Sequence, residues 1–500
     1  MRARGDTTRT SGLRGRRGHS AADRRITLVL LVAASTGACT GSGGERQAAA
    51  SATSHATSGP SSTARPSNTA GGSSTAGPSS TAGASSTAGG SSTPSPSGSP
   101  EPSTASSPTA DSDEARRQGV VELIRRRALA LRSGDRQAWL ATVSDPASPF
   151  AQRQGAVFDR MRLLPITDFD QHGVEVAPAP SAAREAAVGA DAWVSTVHLT
   201  YRLDGYDRAP RSFDASFTVV STPDGWRLAD DTDGRTQPQP WDIPSMAVVR
   251  SPTTLVIGSA PAATLRDYLA LAEAAHTRIA GIWGSALSGV IVAPATVEQL
   301  AAQLQRPDAL GLEQVAAITD GPIGPGSPAT TDRVYVNPQA FARLTPDGRR
   351  VVLTHELTHV TVRGTTDRPV PLWLSEGFAD YVGFTGLSLT PRTVAADLLV
   401  RVRAGTGPTR LPVPDDFDPR KGIIAPTYSA AWLAVTRMAQ VHGGDRVVAF
   451  YRAVAGGLAI GPTTAGDPAA VTGQVFRTVL GTSEEAFVAD WLAYLEQLAR

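Results

Sequence analysis

The chain has 500 residues, room for two or three domains once extended tails are set aside. Its 47 basic and 46 acidic side chains leave a formal net charge of +1, so no global field favours nucleic acid as a partner. Cys39 is the only cysteine, which excludes an intrachain disulfide.

At the N-terminus Arg14, Arg16, Arg17, Arg24 and Arg25 crowd together with only Asp23 among them, ahead of the apolar run Ile26 to Ala34. A basic stretch, a short apolar core and small residues before a cleavage point make a secretory signal, and the run is too short to span a bilayer comfortably. The flank of Cys39 resembles a bacterial lipobox, with Gly37 and Ala38 fitting and Thr36 where leucine is usual. Residues 1–39 are therefore expected to be a signal peptide. Acylated Cys39 would hold the chain at the extracytoplasmic face of a bacterial membrane; the alternative is plain secretion with an incidental cysteine. Residues 40–111, rich in Ser, Thr, Ala, Gly and Pro and repeating SSTAG from Ser73, Ser79 and Ser85, have no apolar face to bury. They read as a disordered linker, which as a flexible coil would span ~45 Å.

Order is expected from residue 112. The segment Glu114 to Leu131 puts Val120, Val121, Ile124 and Ala128 on one helical face with arginines elsewhere, and a short helix is predicted at Gln137 to Val143. Trp193 to Leu203 and Ser212 to Ser221 alternate as strands, and Pro223-Asp224-Gly225 turns the second into Trp226 to Ala229. Helices followed by a long antiparallel sheet resemble the NTF2-like cone in architecture, over residues 112–240. That fold hosts enzymes, pockets and spacers alike, so it implies no activity; a non-catalytic accessory role is the favoured expectation.

After a connector at Trp241 to Pro244, residues 246–500 are expected to form a second domain. Its predicted elements are strand Thr254 to Ile257, helix Ala262 to Ile279, strand Gly289 to Ala293, helix Val297 to Leu304, a Gly/Pro-rich loop near 321–327 and strand Arg333 to Asn337. From Thr345 onward the pattern is helical.

Thr345-Pro346-Asp347 is a helix start, and ten residues on stands His355-Glu356-Leu357-Thr358-His359. Histidines four apart on a helix project from one face and can bind one Zn²⁺ together, with Glu356 beside them to take a proton from water. Gly364 ends the helix. A catalytic zinc needs a third protein ligand, and Trp373-Leu374-Ser375-Glu376-Gly377-Phe378-Ala379-Asp380-Tyr381 offers Glu376 on a second helix. Asp380, four residues later, can accept the Nδ1–H of a ligand histidine.

HELTH followed by WLSEGFADY resembles the gluzincin zincins, above all the alanyl-aminopeptidase family, its peptidase-MA-like bacterial relatives and thermolysin. The resemblance implies an α+β protein in which a zincin-type metallopeptidase domain with a mostly helical C-terminal part follows the NTF2-like domain. It also implies His355, His359 and Glu376 as zinc ligands, Glu356 as catalytic base and Asp380 as partner of a ligand histidine. Pro426-Thr427-Tyr428-Ser429-Ala430-Ala431-Trp432-Leu433 resembles the helix carrying the family's catalytic tyrosine, which maps to Tyr428. A capping box from Thr482 to Glu485 opens a last helix, whose Trp491 resembles an aromatic near the end of many relatives. No counterpart of the segment with which those aminopeptidases clamp a free amino terminus precedes His355. Endopeptidase action on peptide or protein substrates is therefore expected over aminopeptidase action. Strand Arg333 to Asn337 is the expected sheet edge for an extended substrate.

Two rivals remain at this point. One is an inactive zincin-like module kept for binding, against which the retained Glu356 speaks. The other puts the function in a small-molecule pocket of the NTF2-like domain. The remaining histidines, His19, His55, His172, His198, His276 and His442, are expected to be surface or capping residues, and Trp283 and Trp432 to be core.

Overall fold

The first sheet grows from cross-strand pairing of long alternating segments. In the computed structural model, which describes residues 108–500 apart from 177–179, 190, 313–314, 322–331 and 457–467, four antiparallel strands follow one another in the order β1-β2-β3-β4. They are β1 (Ile166–Val176), β2 (Trp193–Leu203), β3 (Arg211–Thr222) and β4 (Gly225–Asp230). Trp193, Val197, Leu199, Tyr201 and Leu203 of β2 are buried, while Thr196, His198, Thr200 and Arg202 between them are half-buried, the period of two that the sequence shows. Gly225, at φ +99, makes the β3–β4 turn in a conformation that suits glycine.

Three helices accompany the sheet: α1 (Pro108–Ser133), α2 (Arg136–Leu140) and α3 (Pro149–Met161), with a short α4 (Ala182–Val188) between β1 and β2. Asp135 caps α2, and Ser148 caps α3 ahead of Pro149. The helix α3 and strand β1 were not expected from the sequence. Helix α1 buries Val120, Leu123, Ile124 and Ala128, but Val121 is only half-buried. Its arginines are not all on the outer side either. Arg127 is buried, with its guanidinium 3.5 Å from the centre of the Trp139 ring and hydrogen-bonded to Thr142 and Gln154.

The second sheet is mixed, in the order β5-β6-β7-β9-β8. Strands β6 (Thr254–Gly258), β7 (Gly289–Ala293) and β9 (Arg333–Val336) are parallel neighbours, and β5 (Ala247–Arg250) and β8 (Ala317–Asp320) lie antiparallel at the two edges. Helix α5 (Ala262–Trp283) crosses from β6 to β7, and α6 (Val297–Gln303) follows β7. The expectation that Arg333 to Asn337 is a sheet edge is corrected here. β9 pairs with β7 on one side and β8 on the other, so the edge on that side is β8, which was not predicted. Asn337 is the N-cap of α7 (Pro338–Ala342), accepting from the amides of Gln339 and Ala340. The predicted loop of residues 321–327 falls almost wholly outside the described residues.

From α7 onward the described residues are helical: α8 (Pro346–Gly364), α9 (Leu372–Phe384), α10 (Pro391–Val394), α11 (Ala396–Arg403), α12 (Ala425–His442), α13 (Gly444–Gly456), α14 (Pro468–Val475) and α15 (Glu484–Ala499). Ser483, not Thr482, caps α15. Trp283, Trp432 and Trp491 are core, as expected of the first two. Among the described residues no helix is long and apolar enough to cross a membrane. The signal segment with Cys39, the expected linker as far as residue 107, His19 and His55 lie outside the described residues, whereas residues 108–111, also expected to be linker, are the first turn of α1.

Both sheets fall in one compact unit, joined by buried charges. Arg333 Nη2 on β9 lies 3.1 Å from Asp207 Oδ2 in the β2–β3 turn, and its Nη1 donates to the Tyr201 hydroxyl at 2.5 Å. Arg211 Nη2 on β3 lies 3.2 Å from Asp320 Oδ2 on β8, and Arg208 donates to the last carbonyl of α8, that of Gly364, at 2.7 Å.

Candidate metal centre

Helix α8 starts where its sequence says, with the Thr345 hydroxyl accepting the Gly348 amide at 3.1 Å and Pro346 at the first helical position. Every residue from Val351 to Val362 is buried, because β8 and the helices α5 and α9 pack around this helix. His355 and His359 sit one turn apart, and their rings meet edge to face at 4.6 Å. Their Nε2 atoms lie 3.0 Å from each other. Glu376 Oε2, from α9, lies 3.2 Å from the first and 3.6 Å from the second.

Those three distances are informative. Nitrogen and oxygen ligands 2.0–2.2 Å from one tetrahedral ion stand roughly 3.3–3.6 Å apart, close to the separations seen here. All three side chains are fully buried, and neither oxygen of Glu376 has a hydrogen-bond partner. Orphaned acceptors converging in the interior are costly unless something neutralises them. A metal ion would do so, and two imidazoles with one carboxylate form a suitable donor set. Among the described residues this is the group of three that could hold a metal.

The Nδ1 of His355 is 2.8 Å from Asp380 Oδ1, one turn beyond Glu376 on α9. Donating Nδ1–H to this carboxylate fixes the ring and turns the Nε2 lone pair toward Glu376. Burial alone would lower the pKa of His355, but Asp380 and Glu376 prevail and raise it well above the ordinary value. Burial also raises Asp380, with His355 opposing. Glu376 is held low because the two imidazoles outweigh its burial. His359 is pushed down to about 4 by burial, which Glu376 only partly offsets. Replacing Asp380 by alanine is expected to weaken metal binding by about 10- to 100-fold, read by competition with a chelator of known affinity.

Glu356 is fully buried beside the cluster. Burial pushes its carboxyl up to about 7, against the pull of His355 and Thr319. Its Oε2 accepts from the Thr319 hydroxyl on β8 at 2.6 Å, and its Oε1 has no hydrogen-bond partner. The sequence reading missed Thr319, and no local signal marks it: the sheet topology alone brings β8 to α8.

Tyr428 is brought to the same place on α12, its ring 6.4 Å from that of His355 and edge-on to Phe417 at 5.2 Å. The close approach of α12 depends on Gly377, next to Glu376. A Cβ there would overlap the carbonyl oxygen of Ala431 and crowd Val435. Gly377→Ala is expected to force α9 and α12 apart and cost about 1–3 kcal/mol of stability, measurable by denaturant unfolding.

The other described histidines stay out of the cluster. His198, on the outer face of the first sheet, lies 2.7 Å from Asp214 and 3.3 Å from Glu175, and His172 packs near it. His442 is the last residue of α12. His276 is not at the surface as expected but buried, with Nε2 at 3.0 Å from the Thr254 hydroxyl. Comparison of the chain with family models, with curated proteins and with solved structures found no match.

Proposed function

We propose that this chain is a zinc-dependent peptidase of gluzincin type that cuts internal peptide bonds. The observation that carries the proposal is the convergence of His355, His359 and Glu376 in a buried site, with the carboxylate of Glu356 alongside. Zinc held by these three residues would supply Lewis acidity, acidifying water and polarising a peptide carbonyl. Glu356 would take the proton from the attacking water through its unpartnered oxygen and deliver it to the departing amine. Asp380 keeps His355 turned to the site, and the hydroxyl of Tyr428 would donate to the developing oxyanion. The four-stranded sheet with its helices is assigned as an NTF2-like accessory domain. Cys39 is assigned as the lipid anchor that holds the enzyme at the outer face of the cell membrane.

One detail favours endopeptidase over aminopeptidase action. Asn337, the polar residue nearest the place of an amino-terminal clamp in the sequence, spends its side chain on capping α7 and on the Leu312 carbonyl.

The zinc-loaded chain, incubated with a diverse peptide library and followed by mass spectrometry, is expected to cut at internal bonds. Trimming confined to amino termini would replace the endopeptidase assignment by an aminopeptidase. Complete burial of the cluster favours a second reading, an inactive module with a structural metal. A zinc-loaded chain that cuts nothing in the library would support that reading instead.

A further inference from the structure

A base that must collect a proton at one place and release it at another works best when its carboxylate is held in one orientation. The Glu356 side chain has three torsions to fix, and one hydrogen bond from outside its own helix does so. That bond comes from Thr319, whose Oγ1 lies 2.6 Å from Glu356 Oε2 and 3.1 Å from the Glu356 carbonyl oxygen. Its geometry ties up Oε2 and leaves Oε1 as the carboxylate oxygen without a hydrogen-bond partner.

Thr319 stands on β8, which among the described residues has a ladder partner on one side only. Its next residue, Asp320, is paired across the ladder with Arg333 of β9. Each member of that rung is gripped by an opposite charge from the first sheet. Asp320 meets Arg211 at 3.2 Å, and Arg333 meets Asp207 at 3.1 Å. All four side chains are buried or nearly so, where Coulomb attraction is strong and the loss of one partner strands the other. The stretch from Tyr201 to Arg211, which turns β2 into β3, thus holds the rung directly beside Thr319.

We propose that Thr319 is a positioning residue for Glu356, and that the first sheet takes part in this through the Arg211–Asp320 and Arg333–Asp207 pairs. The proposal rests on the reading of Glu356 as the proton carrier. It makes the N-terminal sheet a working part of the site, not a spacer before it. A purely structural Thr319, present only to satisfy a buried carboxylate, would affect folding without separating kcat from KM.

The test uses the full zinc-loaded chain with Thr319→Val, Thr319→Ser and Arg211→Met, reading kcat and KM on a quenched peptide, bound zinc, and the Glu356 carboxylate in crystals of each variant. Thr319→Val is expected to lower kcat by about 10- to 100-fold with KM nearly unchanged, the size of a lost hydrogen bond to a charged group. One zinc is retained, and the carboxylate moves from its wild-type position. Thr319→Ser restores both kcat and carboxylate position, and Arg211→Met gives a smaller loss of the same kind. The proposal is overturned if the carboxylate stays in place in Thr319→Val, or if the serine variant is as impaired as the valine one. If the carboxylate moves as expected and is restored by serine while the wild-type chain cuts no peptide, the peptidase reading fails and the positioning role stands.

Discussion

Glu356→Gln is expected to lower peptide turnover by about 10²- to 10⁴-fold, the usual worth of a positioned acid–base group, while the chain still binds one zinc. Glutamine keeps the shape of the side chain and an oxygen for the Thr319 hydroxyl, but it cannot accept a proton from water at neutral pH. The carboxyl it replaces is already disfavoured as an anion by burial, which pushes it up to about 7. A neutral amide is therefore not expected to destabilise the fold. Turnover measured beside zinc content separates the two effects. A variant that keeps turnover within a few-fold of wild type would remove Glu356 from the proton chemistry and leave the metal assignment untouched.

The second large effect is expected from Glu376→Ala. This carboxylate is the only acidic side chain of the three-residue cluster and the one that comes from a different helix. Without it, two imidazoles on α8 remain, too few to hold a tetrahedral ion firmly. Zinc affinity should drop by more than the ~10- to 100-fold expected for Asp380, which only supports a ligand. Peptide cleavage should vanish with the metal. Chelator competition followed by metal analysis reads the first effect, and turnover in excess zinc reads the second. Full zinc retention by this variant would mean that Glu376 is not a ligand and that its oxygens need another explanation for being buried without partners.

Much of the site was readable because helices repeat every few residues. The cap at Thr345, the four-residue spacing of His355 and His359 and the same spacing of Glu376 and Asp380 are local facts. They already imply which side chains share a face. A hydrogen bond from one of the two histidines to Asp380 was anticipated too, since it needs only two helices facing each other; the structure makes it with His355. Strands β2 and β3 and the turn at Gly225 were readable for the same reason, their alternation and turn chemistry being carried by neighbouring residues.

The sequence by itself determined the elements whose pattern is periodic and the residues that share a face of α8 or α9. Only the tertiary structure decided which strand is the edge, since four-residue β8 and β9 look alike in isolation and their order follows from how the sheet assembles. It alone decided that Thr319 reaches Glu356, that Arg127 and Arg333 lie inside, and that Gly377 is where α12 closes on α9. The physical reason is common to these cases. A charge or a missing side chain gains its meaning from a partner far along the chain, and no local propensity encodes that distance. Arginine reads as surface until a carboxylate from another sheet neutralises it, and glycine reads as a flaw in a helix until a second backbone occupies the space.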